Sequence, residues 1–310
     1  MPIYQKFIQQ AKKLNPKYLT MIVPARWYAG GKGLDEFRSE MLNDKRIKKL
    51  VDFENSTEVF HGVDIAGGIC YFLWDKDYIG DCEIINNVNG QKIISNRSLN
   101  EFDVFIRHSQ SIPIIRKILK AENASIYINS VISPRKPFNL SSTYSPKSKG
   151  VPCYFTQRIG LKFASKEDVS DSLKIIDKYK LLIPFAPIAG QTDFSKPVGF
   201  YYDGNIRIAK PGEICSESYL VAFSSRDEKK VLSFKSYLLT KIFRFLLLQT
   251  VVSQNVTRER FQFIPHLDKY NEPYTDEILR KRWNITDDEW DFIDSKIKNI
   301  GLNENEESYE

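Results

Sequence analysis

The run at residues 65–74, IAGGICYFLW, constrains the fold most. It carries no charge and is rich in β-branched and aromatic side chains. Such a run reads as a strand in the middle of a sheet covered on both faces. Just before it, Phe60-His61-Gly62-Val63-Asp64 reads as a turn that holds a large aromatic in a loop. A loop of that kind can hold a ring over a ligand. Phe60 packing into a core is the other reading, and the stretch by itself leaves both open.

The segments before this run set its context. Residues 3–14 place Ile3, Phe7, Ile8, Ala11 and Leu14 at helical spacing, and Asn15-Pro16 ends that helix. Residues 18–23 make a short buried strand stopped by Pro24. Residues 34–42 make a helix with Asp35 and Glu36 in its first turn, where the helix dipole favours acidic side chains. Residues 46–53 alternate like a strand. Helix, strand, loop, helix, strand, turn, strand is the order of a parallel α/β sheet that finishes in an antiparallel hairpin. So few elements do not bury a core this apolar by themselves. Residues 1–75 therefore read as the second half of a doubly wound domain.

Further along, turns multiply over residues 76–150, with one helix expected over 111–121. Residues 131–150 form a basic, Pro- and Ser-rich loop in which Arg135, Lys136, Lys147 and Lys149 alternate with Phe138 and Tyr144. Basic side chains interleaved with aromatics suit a nucleic-acid surface, and an ordinary surface loop is the alternative. Residues 151–223 read as a small β-rich unit with a helix over 167–179. Residues 229–251 read as one long buried helix. Two shorter helices follow, one starting near Thr275 and one at Thr286, where Thr286 and Glu289 stand at capping-box spacing. Residues 301–310 are an acidic tail expected to be disordered.

Charge is unevenly spread. Residues 1–75 carry a net +2, residues 76–270 a net +11 and residues 271–310 a net −7. A basic middle suits a polyanionic partner. No apolar run approaches the roughly 18 residues that span a bilayer, and the N-terminus has no signal-peptide core. The reading is a soluble, cytoplasmic protein without a membrane partner. Cys70, Cys82, Cys153 and Cys215 are scattered, as are His61, His108 and His266, so no metal site is expected and the thiols read as reduced.

Several stretches together are specific enough for a family. They are residues 18–27 (YLTMIVPARW), 29–38 (AGGKGLDEFR) and 58–68 (EVFHGVDIAGG), then 133–138, 237–245, 253–258, 263–265, 274–277 and 286–289. In this order the chain resembles the C-terminal part of the adenine-specific DNA methyltransferases of type II restriction-modification systems, including those fused to a nuclease. The resemblance implies an enzyme that flips an adenine out of duplex DNA and methylates its exocyclic amine from S-adenosylmethionine. It departs from the family in two motifs. There is no Asn-Pro-Pro-Tyr, and no acidic-Gly-x-Gly loop after an opening strand. Asn15-Pro16-Lys17-Tyr18 ends a helix, and Gly30-Gly31-Lys32-Gly33 fits neither the dinucleotide fingerprint nor a P-loop.

The resemblance therefore implies a division of labour. Residues 1–75 would be the last strands of the catalytic sheet. Residues 76–300 would be an α+β target-recognition domain that binds double-stranded DNA. An N-terminal methyltransferase half would be the partner that binds S-adenosylmethionine, with no cofactor bound by this chain alone and no activity without that half. Phe60 matches the aromatic that stacks on the flipped base. Arg26, Lys32 and Arg38 surround a loop near the catalytic face, and Asp64 caps the turn or approaches the base. Arg135, Lys136, Arg158, Arg244 and Arg258 are the candidate DNA contacts. A stand-alone DNA-binding specificity module and an inactive remnant are the alternatives. No nuclease constellation is apparent.

Overall fold

The structure is a computed structural model that describes residues 2–300 apart from 89, 123–125, 192, 203 and 268. The acidic tail expected at 301–310 lies outside the described residues. The chain divides into two compact units. The first comprises residues 1–114, 190–198 and 248–253; the second comprises 115–189, 199–247 and 254–310.

The first unit opens with helix α1 (Tyr4–Lys13), strand β1 (Tyr18–Pro24), helix α2 (Asp35–Asn43), strand β2 (Ile47–Phe53) and strand β3 (Ile69–Asp75). These follow the order read from the sequence. The unit does not stop near residue 75, however. Strands β4 (Cys82–Val88) and β5 (Gln91–Arg97) extend the sheet, whose order is β1-β3-β2-β4-β5. β3 is antiparallel to both neighbours, and β2 is parallel to β4. Strands β1, β2 and β4 thus run the same way, and their carboxyl ends line up through the pairings Pro24↔Ile69, Phe53↔Ile69 and Phe53↔Asn87.

One face of this sheet is closed by Trp27, Tyr28, Phe37, Met41 and Phe105, packed on Leu50, Cys70, Phe72 and Ile84. The other face is not covered as the apolar run of β3 led one to expect. A register row crosses the five strands as Ile22↔Tyr71↔Val51↔Ile85↔Ile94. Its ends are open, with Ile22 42% and Ile94 62% exposed.

The second unit holds two small sheets. Strands β6 (Val151–Tyr154), β7 (Leu161–Ala164) and β10 (Ile214–Cys215) form one, in the order β10-β6-β7. Strands β8 (Tyr179–Pro184), β9 (Arg207–Ala209) and β11 (Tyr219–Ser225) form the other, in the order β11-β8-β9. Helix α3 (Ser111–Glu122) precedes them. Helices α4 (Glu228–Leu239), α5 (Lys241–Leu248), α6 (Asp276–Trp283) and α7 (Asp287–Lys296) follow, and α7 carries the complete Thr286–Glu289 capping box.

Two helices read from the sequence are corrected. The long helix over 229–251 breaks at Thr240, which is extended with φ −62° and ψ 151°. Its hydroxyl accepts from the Phe243 amide at 3.2 Å, and the Asp276 carboxylate accepts from the Lys241 and Ile242 amides at 2.9 and 3.0 Å. A new helix start is therefore capped by side chains, one of them distant in sequence. The expected helix over 167–179 does not form. Asp171 accepts from the Ile175 and Ile176 amides at 2.9 Å each, and the Lys180 ammonium gathers the carbonyls of Ile175, Ile176, Lys178 and Lys210. Side chains take the backbone groups that a helix would have paired.

Candidate functional site

The carboxyl ends of parallel strands are where open α/β sheets hold ligands. Here the connection from β2 to β3, residues 54–68, rises from that end. It is wound around Ser56, which is buried. The Ser56 hydroxyl donates to the Val63 carbonyl and accepts from the Ile65 amide, each at 2.8 Å, and the Ser56 carbonyl accepts from the Phe60 amide at 2.9 Å. The loop returns through Gly67 and Gly68, both at positive φ. A Cβ on Gly68 would lie 2.1 Å from the Phe53 carbonyl oxygen, so only glycine fits where the loop rejoins the sheet. Phe60 sits on this frame 40% exposed, a large apolar ring shown to solvent by a hydrogen-bonded loop. Ser56→Ala is expected to cost about 1 kcal/mol locally by leaving a half-buried carbonyl and amide without their partner. Hydrogen exchange at residues 56–65 would rise, with the sheet amides unchanged.

Beneath the loop lies a polar cluster that the sequence reading missed. Asp52, at the end of β2, is fully buried, and Arg107 faces it with Nε 3.0 Å from Oδ2. Arg107 Nη2 also donates to the Gly67 carbonyl at 2.5 Å, which ties the cluster to the end of the Phe60 loop. Asn86 Nδ2 donates to Asp52 Oδ2 at 3.2 Å, and His108 Nε2 lies 2.5 Å from Glu54 Oε1. Burial pushes the Asp52 carboxyl above its usual range, and Glu54 adds to that; Arg107 pulls the other way. Two signals in the sequence pointed here. Asp52 shares the core face of β2 with Leu50, and Arg107-His108 follows the apolar run at 104–106. An acid on a core face implies a buried partner.

The candidate basic residues divide. In the first unit Arg26 is exposed, with Nε 3.4 Å from the Ala66 carbonyl, so it touches the Phe60 loop. Lys32 is exposed on the glycine loop before α2. Arg38 is not a surface group. It is buried, donating to the Trp27 and Gly30 carbonyls at 2.8 Å each and pairing with Asp35, so it braces the 25–34 loop. Asp64 is exposed on the loop.

In the second unit Arg135 and Lys136 are exposed and share Glu217, at 3.1 and 3.9 Å. Arg158 is exposed on the β6–β7 turn, and Arg258 is exposed beside Glu259 at 3.2 Å. Arg244 is a correction. It is buried, donating to the Leu239, Thr240 and Lys298 carbonyls, and burial pushes its guanidinium down to about 10. It is an internal brace of α5 and not a DNA contact. All four cysteines are buried and free. Among the described residues no His, Cys, Asp and Glu cluster suits a metal ion, and no helix is long and apolar enough to cross a membrane.

The family described as Eco57I restriction-modification methylase matches residues 1–60, a stretch that ends on Phe60. An uncharacterized adenine-specific methylase of Mycoplasma pneumoniae (strain ATCC 29342 / M129 / Subtype 1) is 39% identical over 79 residues. That match covers 25% of this chain and 19% of the relative. The solved structure titled "Characterization and crystal structure of the type IIG restriction endonuclease BpuSI" aligns over 86% of this chain and 42% of its own, at 11% identity and a TM-score of 0.31. The chain thus spans well under two thirds of either relative. What the sequence matches establish is that this chain resembles restriction-modification methylases, an adenine-specific one among them.

Proposed function

We propose that this chain is the C-terminal part of a site-specific DNA adenine-N6 methyltransferase, supplying the base-stacking loop and the recognition of the DNA sequence. The observation that carries the reading is Phe60. It is an exposed ring on a braced loop at the carboxyl ends of β1, β2 and β4, inside the stretch matched by the methylase family. An adenine turned out of the duplex would stack on Phe60, while Arg26 and Lys32 would meet nearby phosphates. Double-stranded DNA is the proposed partner of the second unit, through Arg135, Lys136, Arg158 and Arg258, in a cytoplasmic restriction-modification system.

S-adenosylmethionine would supply the methyl group in the complete enzyme. The cavity beneath the Phe60 loop, lined in part by Tyr28, Glu54, Arg107 and His108, measures about 30 Å³. Small-molecule sites run to about 300–1,000 Å³. These residues do not fit the cofactor, which we assign to an N-terminal methyltransferase half. The open sheet supports such a partner. β1 lies at its edge, the Ile22-to-Ile94 row is uncovered at both ends, and Ile3, Phe7 and Leu14 of the α1 region are exposed.

The test supplies the chain with a methylase half that carries Asn-Pro-Pro-Tyr, together with cofactor and DNA. Adenine methylation is expected, and Phe60→Ala should slow it by about tenfold or more, the value of one stacked base. No methylation from folded, associated halves overturns the reading. A second reading is a stand-alone DNA-binding specificity module, favoured by the exposed arginines and lysine of the second unit. It predicts sequence-selective, salt-sensitive DNA binding by the chain with no methylation when the other half is added.

A further inference from the structure

A second concavity is lined by residues of the second unit. Its volume is about 330 Å³. Three pieces of chain form it. The β6–β7 turn brings Thr156 and Gln157, the end of β8 brings Pro184 and Ala186, and the turn after residue 200 brings Tyr201 and Asn205. Tyr201 is 50% exposed, so a large ring stands in the wall with a face toward solvent. The wall is built, not incidental. The Tyr201 amide donates to the Pro187 carbonyl at 2.7 Å, Asn205 Nδ2 donates to the Tyr201 carbonyl at 2.9 Å, and the Phe185 amide donates to the Ser218 carbonyl at 2.9 Å.

Three arginines neighbour the lining residues along the chain or through Phe185. Arg158 follows Gln157 directly. Arg207 is held by the Gly204 and Ile206 carbonyls, at 2.5 and 2.9 Å. Arg135 lies over the Phe185 ring at 4.7 Å. Glu217 offsets part of the Arg135 charge. An aromatic face, an amide and hydroxyls inside, with guanidinium groups outside, is the chemistry of a nucleobase attached to a phosphate backbone. Base edges inside a duplex groove are read by elements that protrude into it. A concavity instead receives something inserted.

We propose that this concavity holds a single nucleobase turned out of the DNA stack, stacked on Tyr201 with its edge toward the Gln157 amide, while Arg158 and Arg207 take the flanking phosphates. The proposal rests on the second unit binding DNA, and it adds a base site that Phe60 does not provide.

The test measures anisotropy of labelled DNA with the full chain. It uses a fully paired duplex and the same duplex carrying one unpaired, bulged base. The unpaired base should tighten binding by about tenfold, the worth of one stacked base. Tyr201→Ala and Gln157→Ala should abolish that gain while leaving the paired-duplex affinity near that of the unaltered chain, and Tyr201→Phe should keep it. Because Tyr201 and Gln157 are exposed, unchanged melting of the variants verifies the fold. Equal affinity for the two duplexes overturns the proposal, as does a gain that survives Tyr201→Ala. Failure to bind either duplex removes the DNA-binding reading itself, and the proposal with it.

Discussion

Arg107→Met is expected to destabilise the first unit by about 3–5 kcal/mol, the cost of stripping one partner from a buried ion pair. The expectation comes from the asymmetry of the pair. Asp52 is fully buried, whereas the Arg107 side chain is 13% exposed. Without Arg107 the carboxylate keeps the Asn86 amide at 3.2 Å but no facing guanidinium. It must then bind a proton or force the core open. Asp52→Asn should cost less, because the guanidinium keeps its bond to Gly67 and some contact with water. The Arg107 Nε–H is poorly aligned on Asp52 although the atoms are 3.0 Å apart. The pair is therefore held mainly by charge, and combining the two substitutions should cost well under the sum of the singles. Urea unfolding followed by the emission of Trp27 and Trp74, both buried in this unit, reads the result. A loss below about 1 kcal/mol for Arg107→Met would mean that the pair contributes little. Losing the bond to the Gly67 carbonyl also frees one end of the Phe60 loop. The same variant should therefore raise exchange at residues 56–68 beyond its effect on the sheet.

Local chemistry explains what the sequence disclosed. β1, α2, β2 and β3 were legible because apolar periodicity, Pro24 and the acidic first turn of α2 agree. Phe60 was legible as a loop aromatic because glycines and polar residues surround it. Strands β4 and β5 were not, since Asn86, Asn87 and Asn96 make them polar. Asn86 and Asn87 are buried because Asp52 takes their amides, through its carboxylate and its carbonyl, while β5 with Asn96 stays largely exposed. The Asp52–Arg107 cluster joins residues far apart in sequence, so no local spacing announces it. Arg38 and Arg244 show the converse. An arginine in a basic or loop-flanking stretch looks like a phosphate contact until its carbonyl partners are known. At Thr240 and over 167–179 the helical periodicity is genuine, but Asp276, Asp171 and Lys180 offer the backbone other partners, and tertiary hydrogen bonds override propensity.

Lys180 makes the second strong prediction. Its side chain is fully buried, and its ammonium is surrounded by the carbonyls of Ile175, Ile176, Lys178 and Lys210. Burial pushes the amine down to about 8, against the pull of Cys215, Asp171, Glu213 and Asp177. Two effects oppose each other in Lys180→Met. Removing a buried charge should return roughly 3 kcal/mol, from about 1.4 kcal/mol per pH unit of displacement. The Ile175, Ile176 and Lys210 carbonyls each keep a backbone amide, from Lys178, Gly212 and Glu213, so the cost falls mainly on the Lys178 carbonyl, about 1–3 kcal/mol. The two effects nearly cancel, so the net change at pH 7 should stay within about 2 kcal/mol in the second unit, and the pH dependence is the sharper readout. The sign with pH follows from the lowered folded value. Between about 8 and the unfolded value of a lysine, the unfolded chain binds the extra proton, so the native protein gains stability as pH rises. The variant lacks that gain, so the gap, taken as the unaltered protein's stability minus the variant's, should rise by about 1 kcal/mol from pH 7 to pH 9. Taking the difference cancels the buried cysteines and tyrosines, whose raised values act in the opposite direction in both proteins. Chemical unfolding at the two pH values, read from Trp283, measures that gap. A gap that stays constant or falls would mean that Lys180 keeps its charge through this range and acts as a fixed cation tying the 175–178 turn to Lys210.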